Sequence, residues 1–340
     1  MNILSLFDGM SCGRVALERA SIPVNTYYSS EVDKYAIQIA DKNYPQDTPF
    51  RLGDVTKIDL STIPKIDLLI GGSPCQGFSF AGKQLNFNDP RSKLFFEFVK
   101  AVEELNPKYF LLENVRMKKE YQDIITQYLG VEPIMINSSL VSAQNRVRLY
   151  WTNIPNVTQP KDLGITLQDI CEDIENPGRP CELREFSENT LCHHIANTLD
   201  ISGNESIKRV YAGTGKAPTL TTMQGGYREP KILIVKEATK LGYTQIHPNQ
   251  GVDLTFPSSK TRRGRAMRSK SNCLTATAFD YGLWSGALYR KLLPLECERL
   301  QTLPDNYTLG VSNSQRYKML GNGWTVDVIA HIFECMKSID

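Results

Sequence analysis

The sequence contains few of the features that mark secreted or membrane proteins. Its eight cysteines, in 340 residues, include no Cys-x-x-Cys pair, which favours free thiols in a reducing compartment over a disulfide framework. No stretch approaches the ~20 apolar residues that a membrane-spanning helix needs. The apolar run Met1–Phe7 is also too short for the apolar core of a signal peptide. We therefore expect a cytoplasmic protein.

An excess of charge of either sign is also lacking. The formal net charge is +2, so overall charge neither requires nor excludes a nucleic-acid partner. Residues 260–270 depart from this balance, because six of them are basic and none is acidic. Such a run is usually a solvated surface, but it also suits contacts with phosphates or a DNA groove. Cys181, Cys192, His193 and His194 lack the spacing of zinc ligands, so we expect no metal site.

Short apolar runs alternate with amphipathic segments over residues 1–150, which predicts strand–helix–strand units and a mostly parallel, doubly wound α/β sheet. The predicted strands are Ile3–Phe7, Thr26–Ser30, Asp67–Gly71, Tyr109–Glu113, Pro133–Ile136 and Val147–Thr152. The predicted helices are Gly13–Ala20, Lys34–Lys42, Lys93–Glu104 and Lys119–Leu129.

The pattern changes after Trp151. Prolines interrupt the chain there, and the segment up to Gly286 is rich in Thr, Gly, Arg and Asn, with short β-like runs such as Lys231–Val235. The tail after Arg290 returns to helical patterning, and its last amphipathic segment, Val326–Met336, should pack on the first domain. A chain of this length exceeds one ordinary core. We therefore predict a first domain over 1–155, a smaller, irregular β-rich domain over 156–286, and a return to the first domain over 287–340.

A turn of small residues follows the first predicted strand, in Ser5-Leu6-Phe7-Asp8-Gly9-Met10-Ser11-Cys12-Gly13. Its glycines let a ligand approach the backbone, and the following helix offers free N–H groups. Glu31 and Asp54 each come just after a predicted strand, where carboxylates can bind ribose hydroxyls or an adenine amino group. The turn therefore fits a nucleoside-bearing cofactor, although an ordinary strand–helix turn has the same signature.

Reactive side chains stand at the ends of three further strands. Cys75 follows a predicted strand in Gly71-Gly72-Ser73-Pro74-Cys75-Gln76-Gly77, where backbone N–H groups and positive charge would favour a thiolate. Glu113 ends the next strand, and Arg146 and Arg148 lie two apart on one strand face. Taken singly, each has an ordinary alternative: a turn cysteine, or residues of a solvated salt bridge.

Together these motifs resemble the DNA cytosine-5 methyltransferase family. The resemblance is carried by Pro-Cys-Gln, Glu-Asn-Val and Gln-x-Arg-x-Arg at strand ends, by Lys93-Leu94-Phe95-Phe96, and by tail motifs around Arg290–Gln301, Pro304-Asp305 and Leu320-Gly321-Asn322-Gly323. It covers about 1–155 and 287–340. It implies a Rossmann-like fold of the S-adenosylmethionine-dependent methyltransferases, with residues 156–286 as a target-recognition domain.

The chain departs from the family pattern at its first motif. Most bacterial members open with Asp-Leu-Phe-x-Gly-x-Gly-Gly, where this sequence has Ser5, Ser11 and Cys12 in place of the Asp and two glycines. That opening and residues 94–98 are more similar to the animal de novo methyltransferases, whereas the middle segment and tail look bacterial or phage-like. The departures leave the contacts to the methionine end of the cofactor open.

The resemblance implies a covalent mechanism on a base flipped out of duplex DNA. The Cys75 thiolate would add to carbon 6 of cytosine, and Glu113, kept protonated, would donate to ring nitrogen 3. Arg146 and Arg148 would hold the carbonyl of the base and position Glu113. The base that removes the carbon-5 proton is not revealed, and water is one candidate.

By the same resemblance, S-adenosylmethionine, with S-adenosylhomocysteine as product, should contact a set of side chains around the first sheet. The expected cofactor residues are Phe7, Gly9, Ser11, Glu31, Val32, Asp54, Val55, Ser73, Pro74, Leu94, Asn322 and Val326. The expected DNA-binding residues are Gln76, Lys83, Arg91, Thr219, Thr221, Arg228, Arg262, Arg263 and Arg265. Arginines of the basic segment suit guanine edges, which they bind bidentately.

The partner implied is double-stranded DNA, and a cognate restriction endonuclease is a second expected partner in a bacterial cytosol or a phage-infected cell. We expect a monomer. Three alternatives stay open: a transfer-RNA cytosine methyltransferase, a catalytically silent DNA-binding homologue, and an unrelated dehydrogenase. The first usually carries a Cys-Phe-Thr tripeptide, which this sequence lacks. The second tends to lose the cysteine or glutamate, and the Pro-Cys-Gln and Glu-Asn-Val pair argues against the third.

Overall fold

The computed structural model describes residues 1–73, 90–172, 179–183, 190–223, 226–236, 243–245, 252–253, 265–266 and 287–339. The first part of the chain forms a six-stranded sheet in the order β2-β1-β3-β4-β6-β5. Its strands are β1 (Asn2–Leu6), β2 (Thr26–Ser30), β3 (Leu68–Gly71), β4 (Tyr109–Val115), β5 (Ile134–Asn137) and β6 (Val147–Thr152). Pairing is parallel from β2 to β4, and β6 runs antiparallel to both β4 and β5. The predicted α/β class and mostly parallel sheet are confirmed.

Helices cover both faces of this sheet, because successive strand residues point to opposite sides. Ile3 and Ile70 enter one apolar cluster, together with residues of α1 (Cys12–Arg19) and α9 (Val326–Glu334). Leu4 and Leu69 enter the other, with Phe95 and Phe98. The remaining helices of this part are α2 (Lys34–Asn43), α3 (Pro90–Leu105) and α4 (Lys119–Leu129), with short 3-10 turns at Pro45–Phe50, Val55–Lys57, Leu60–Thr62 and Ser138–Leu140. The predicted strands and helices of residues 1–152 are confirmed to within a few residues at each end.

A second six-stranded sheet follows, in the order β11-β10-β14-β7-β8-β9, and a further pairing of β10 with β9 closes the five strands from β10 to β9 on themselves. Its strands are β7 (Arg179–Leu183), β8 (His194–Thr198), β9 (Arg209–Tyr211), β10 (Lys231–Lys236), β11 (Tyr243–Gln245) and β14 (Ala287–Lys291). Cys181, Ala196, Val210 and Leu233 form its buried centre. Strand β14, which the sequence assigns to the returning segment, is hydrogen-bonded within this sheet.

The rest of the described chain is short helices and a small hairpin. These are α5 (Leu167–Ile170), α6 (Glu205–Lys208), the pair β12 (Val252–Asp253) and β13 (Arg265–Ala266), α7 (Pro294–Leu300), α8 (Asn313–Asn322) and a 3-10 turn at Cys335–Ile339. The predicted amphipathic end of the chain does pack on the first sheet, as α9. In the ranges given above, no helix has the length and apolar character to cross a membrane.

Candidate active site at the carboxyl ends of the first sheet

Gly72, the residue that follows β3, leaves little room for a side chain. A Cβ on Gly72 would lie 3.0 Å from Nε1 of Trp324 and 3.2 Å from Oε2 of Glu113. The next residue, Ser73, is held to β4, because Nδ2 of Asn114 lies 3.4 Å from the Ser73 carbonyl oxygen and 3.3 Å from its Oγ. The end of β3 is therefore packed beside Glu113. Pro74, Cys75 and Gln76 lie outside the described residues.

Glu113 is paired with Arg148 across neighbouring strands. Arg148 and Glu113 form an ion pair in which Nε lies 2.9 Å from Oε1, and the two side chains are 12% and 11% exposed. The antiparallel register of β4 and β6 sets Val115 opposite Arg148 and so brings the guanidinium to the end of β4. Arg148 Nη1 also donates to the carbonyl of Val147. One arm of the guanidinium thus anchors the side chain while Nε orients the carboxylate.

Arg146 has a different position from the one expected. It precedes β6, is almost fully buried, and donates to the carbonyl oxygens of Leu220 at 3.3 Å, Gly321 at 3.2 Å and Gly323 at 2.9 Å. Burial lowers its pKa to about 10, and the nearby charge of Arg148 acts in the same direction. The expectation that both arginines position Glu113 is therefore corrected: Arg148 forms the ion pair, and Arg146 joins three main-chain segments.

The turn after β1 has an unusual backbone. Phe7, Gly9 and Ser11 all have left-handed φ angles, of 59°, 58° and 64°. The N–H of Gly9 donates to Oε2 of Glu31 at 2.8 Å. Oε1 of Glu31 accepts from the N–H groups of Val32 and Asp33, at 2.7 and 2.8 Å. Glu31 therefore connects the ends of β1 and β2, and a carboxylate with about four lone-pair sites keeps acceptor capacity for a ligand.

The other residues expected at the cofactor site fall into two groups. Val32 is 71% exposed although it is apolar, and Asp54, Phe7, Leu94 and Asn322 all keep some accessible surface. Asp54 caps the turn after it, accepting from Thr56. Val326, in contrast, is fully enclosed in the apolar core, and the hydroxyl of the nearly buried Ser11 donates to Asp8. These two side chains have no surface or free donor left for a ligand in this arrangement.

The expected DNA contacts are placed unevenly. Thr219 donates its hydroxyl to the carbonyl of Asn145 at 2.7 Å, so it ties the chain internally, whereas Thr221 and Arg228 are exposed. Lys83, Arg262 and Arg263, like Gln76, are outside the described residues, and the side chains of Arg91 and Arg265 are not described.

Three residues of this region have no role predicted from the sequence, although Gln144 and Asp8 stand within quoted motifs. Gln144 is fully buried, donates to the carbonyl of Leu300 and accepts from the N–H of Leu220. Trp324 lies against Gly72, and Asp8 is a nearly buried acid inside the first turn. The signals were an acid within a run of small residues and a tryptophan directly after the Gly-Asn-Gly motif.

A mostly parallel, doubly wound sheet with a carboxylate and glycine turns at its carboxyl ends defines the α/β class of proteins in which ligand sites lie at that edge. The glutamate–arginine pair lies beside Gly72, which precedes Cys75 by three residues in the chain. The family model described as "C-5 cytosine-specific DNA methylase" matches residues 1–338. The chain belongs to that family and is a DNA cytosine-5 methyltransferase.

Curated relatives extend over the whole chain. The type II methyltransferase M1.ScrFI of Lactococcus lactis subsp. cremoris is 30% identical over 348 residues, covering 99% of this chain and 78% of the relative. The type II methyltransferase M.HhaI of Haemophilus parahaemolyticus is 27% identical, covering 98% and 93%. The orphan methyltransferase M.Rho11sI of Bacillus phage rho11s is 26% identical, covering 98% and 97%.

Solved structures share the fold. The structure of a Spodoptera frugiperda DNMT2 mutant superposes with a TM-score of 0.63 at 18% identity and covers 99% of both chains. The Entamoeba histolytica methyltransferase EhMeth gives a TM-score of 0.62 at 17% identity and covers 99% of this chain and 98% of its own. At these identities the likeness establishes the architecture alone.

Proposed function

We propose that the chain methylates specific DNA sites by transferring a methyl group from S-adenosylmethionine to carbon 5 of a flipped-out cytosine, through a covalent intermediate on Cys75. The observation that carries this proposal is the ion pair of Glu113 and Arg148, in which Oε1 and Nε lie 2.9 Å apart. Glu113 lies beside Gly72, the residue that follows β3. Site specificity, the cofactor and the covalent step are the parts that go beyond family membership.

The position of Cys75 in the chain supports its role as nucleophile. Ser73 is fixed against β4 through Asn114. Cys75 comes two residues after Ser73 in the chain. We propose that its thiol meets the flipped base from the side of β3 while Glu113 meets it from β4.

The chemistry assigned to these side chains balances. In the complex with the base, Glu113 is protonated. The Cys75 thiolate adds to carbon 6, the Glu113 carboxyl gives its proton to ring nitrogen 3, and carbon 5 becomes nucleophilic as an enamine. After methylation, loss of the carbon-5 proton to water or another base reforms the double bond and expels the thiolate, and ring nitrogen 3 returns its proton to Glu113. Arg148 keeps Glu113 in place through their ion pair, and a rigid guanidinium that is also anchored to the Val147 carbonyl serves this purpose better than a lysine would.

The residues at the first turn fit S-adenosylmethionine, which supplies the methyl group when bound. The Glu31 carboxylate retains acceptor capacity for ribose hydroxyls, and Asp54 offers a second accessible carboxylate. Val32, 71% exposed, presents an apolar surface to a purine face, with Phe7 and the nearly buried Val55 at the ends of neighbouring elements. Gly9 and Ser73 contribute backbone and small side chains, and Leu94 and Asn322 are the further contacts proposed.

Residues 156–286, which form the second sheet together with β14, are proposed as the target-recognition domain. The segment that leads to Thr221 is tied to the catalytic domain at residues 143–146, by main-chain bonds between 143–145 and Ala217 and by Arg146 to Leu220. Thr221 and Arg228 are exposed beyond that tie and are proposed to meet DNA, together with the basic side chains of residues 260–270.

One assay tests the function and its alternatives. Purified protein is given labelled S-adenosylmethionine with duplex DNA or transfer RNA, and the variants Cys75→Ala and Cys335→Ala are compared. We expect label in DNA alone, lost in Cys75→Ala and kept in Cys335→Ala, because Cys335 lies in the C-terminal 3-10 turn. Bisulfite sequencing of the methylated DNA then gives the target sequence.

Each other outcome removes a defined part of the proposal. DNA methylation by Cys75→Ala would exclude the covalent mechanism. Label in transfer RNA alone would exclude DNA as the substrate, and no transfer to either by a protein that binds DNA would indicate a silent homologue. Methylated cytosines without a common flanking sequence would exclude site specificity.

A further inference from the structure

The carboxyl group of Asp8 is the centre of a buried hydrogen-bond cluster inside the first turn. Its Oδ1 accepts from Ser5 Oγ at 2.7 Å and from the Tyr27 hydroxyl at 2.6 Å, and its Oδ2 accepts from Ser11 Oγ at 2.6 Å. Asp8 is 8% exposed, and Ser5, Ser11 and Tyr27 are 3% exposed or less. All three donors are hydroxyl groups, and a buried carboxyl satisfied in this way is costly to misplace.

This cluster joins the turn to both strands that flank it. Ser5 belongs to β1 and Tyr27 to β2, while Ser11 is the last residue before α1. The main chain of Asp8 is also fixed, because its N–H donates to Ser30 and its carbonyl accepts from the N–H of Ser11. Every end of the turn is thus connected through one residue.

The turn needs such a restraint. Phe7 and Ser11 hold left-handed φ angles of 59° and 64°, which side-chain-bearing residues adopt only when their surroundings impose them. Between them, Gly9 points its N–H at Glu31, the carboxylate proposed to bind the ribose. A turn that relaxed toward ordinary φ angles would withdraw this N–H and release Glu31.

The hydrogen bonds also account for the departures from the family's opening pattern. Ser5 stands where most bacterial members have Asp, and Ser11 stands where they have Gly. Both hydroxyls donate to Asp8. A second acid at position 5 would place two negatively charged carboxylates side by side. A serine at position 5, which can donate a hydrogen bond, is therefore compatible with an acid at position 8. Burial raises the pKa of Asp8 and the three hydroxyl donors lower it, as expected for a carboxyl shielded from water.

We propose that Asp8 is the positioning residue of the cofactor turn, supplying from within the turn the carboxyl group that most bacterial members carry at the end of β1. It acts on the cofactor through Gly9 and Glu31 and does not touch the reacting atoms. The inference rests on the proposed use of S-adenosylmethionine at this turn.

Calorimetric titration with S-adenosylhomocysteine tests the proposal in the absence of DNA. We compare wild type with Asp8→Ala, with Asp8→Asn, with the transposed variant Ser5→Asp/Asp8→Ala, and with Asp59→Ala as a control. Asp59 caps an exposed 3-10 turn away from the site. We expect Asp8→Ala to bind at least about ten-fold more weakly, since it orphans three buried hydroxyls. The transposed variant should recover most of that loss, and Asp59→Ala should bind like wild type.

Asp8→Asn keeps the acceptor for Ser5 and Tyr27 and presents an amide to the Ser11 hydroxyl, so its affinity should lie between those of wild type and Asp8→Ala. Steady-state kinetics should show the same order in the KM for S-adenosylmethionine, with kcat changed by less than about three-fold. A residue with a merely structural role would lower the melting temperature of the variants and leave the affinity of the folded fraction unchanged.

The outcomes are distinct. Wild-type affinity in folded Asp8→Ala or, where that variant does not fold, in Asp8→Asn, would overturn the proposal. So would a folded transposed variant with no recovery. If wild-type protein itself does not bind S-adenosylhomocysteine, the cofactor assignment of the proposed function fails, which is a different result.

Discussion

Arg148 and Glu113 meet across two antiparallel strands at the carboxyl edge of the first sheet, with Nε 2.9 Å from Oε1 and both side chains nearly buried. The guanidinium of Arg146, two residues earlier, donates hydrogen bonds to the carbonyl oxygens of Leu220, Gly321 and Gly323 instead. The two arginines of this motif therefore have different roles. Arg148 pairs with the acid, and Arg146 holds the segment before Thr221 and the Gly-Asn-Gly turn against the sheet.

Arg148→Lys should damage the chemical step more than cofactor binding. A lysine keeps the charge, but it lacks the planar group that pairs with Glu113 through Nε while Nη1 donates to the Val147 carbonyl. We expect kcat to fall by roughly 10- to 100-fold while the KM for S-adenosylmethionine stays within a few-fold. Arg116→Lys, at an exposed position on the chain after β4, is the matched control. A kcat equal to wild type in Arg148→Lys would show that Glu113 needs no fixed orientation.

Gly321→Ala should destabilise the protein, because the site has no room for a methyl group. The new Cβ would lie 2.1 Å from the carbonyl oxygen of Thr221 and 2.7 Å from the nitrogen of Thr222, and main-chain atoms cannot rotate away as a side chain can. We expect a loss of about 1–3 kcal/mol in the free energy of unfolding, measured by urea denaturation. Asn313→Ala, exposed on the same helix, should leave the midpoint unchanged. An unchanged midpoint for Gly321→Ala would mean that these segments separate easily.

Loss of the buried ion pair between Glu298 and Arg316 should lower the free energy of unfolding strongly. Glu298 is fully buried and accepts from Arg316 Nη2 at 2.9 Å, from the N–H of Thr308 at 2.8 Å and from the N–H of Asn306 at 2.7 Å. Arg316→Met leaves this carboxylate without its cation, and we expect a loss of about 3–5 kcal/mol in chemical denaturation.

Two comparisons check that reason. The double variant Glu298→Gln/Arg316→Met, which buries no charge, should be more stable than Arg316→Met alone. Lys119→Met removes the cation of an exposed pair, in which Lys119 and Asp123 are 68% and 55% exposed, and should not shift the melting temperature measurably. Equal losses from Lys119→Met and Arg316→Met would contradict the importance of burial.

Cys12 should make the protein lose stability at alkaline pH. Burial raises the pKa of this thiol from 9.0 to about 12 in the folded chain. Below pH 9 the thiol is protonated whether the chain is folded or not, so its contribution is fully present there. Between pH 9 and about 12 only the unfolded chain ionises, and the free energy of unfolding falls by about 1.4 kcal/mol per pH unit. Cys12→Ala should show a shallower decline over that range, and parallel curves for both proteins would refute this origin.

Much of the first domain was predictable because its signals are local. Apolar runs such as Leu68–Gly71 and amphipathic segments such as Lys119–Leu129 declare their secondary structure within a few residues. The positions of Glu113 and Glu31 at strand ends were likewise visible in the sequence. The second sheet was harder to predict from the sequence. Its strands are short, and β14 pairs with β7 and β10, which are distant from it in the chain.

The sequence by itself determined the family and the α/β class, and it supplied the motifs proposed to be catalytic, because these depend on residue type and spacing. Only the tertiary structure decided that Arg148 pairs with Glu113 while Arg146 binds carbonyls at residues 220, 321 and 323. It also decided that Ser5 and Ser11, which each depart from the family's opening pattern, both donate their hydroxyl groups to Asp8. Spacing along the chain names the groups that can interact, but the partner of a buried charge or hydroxyl is fixed by which distant segments pack beside it.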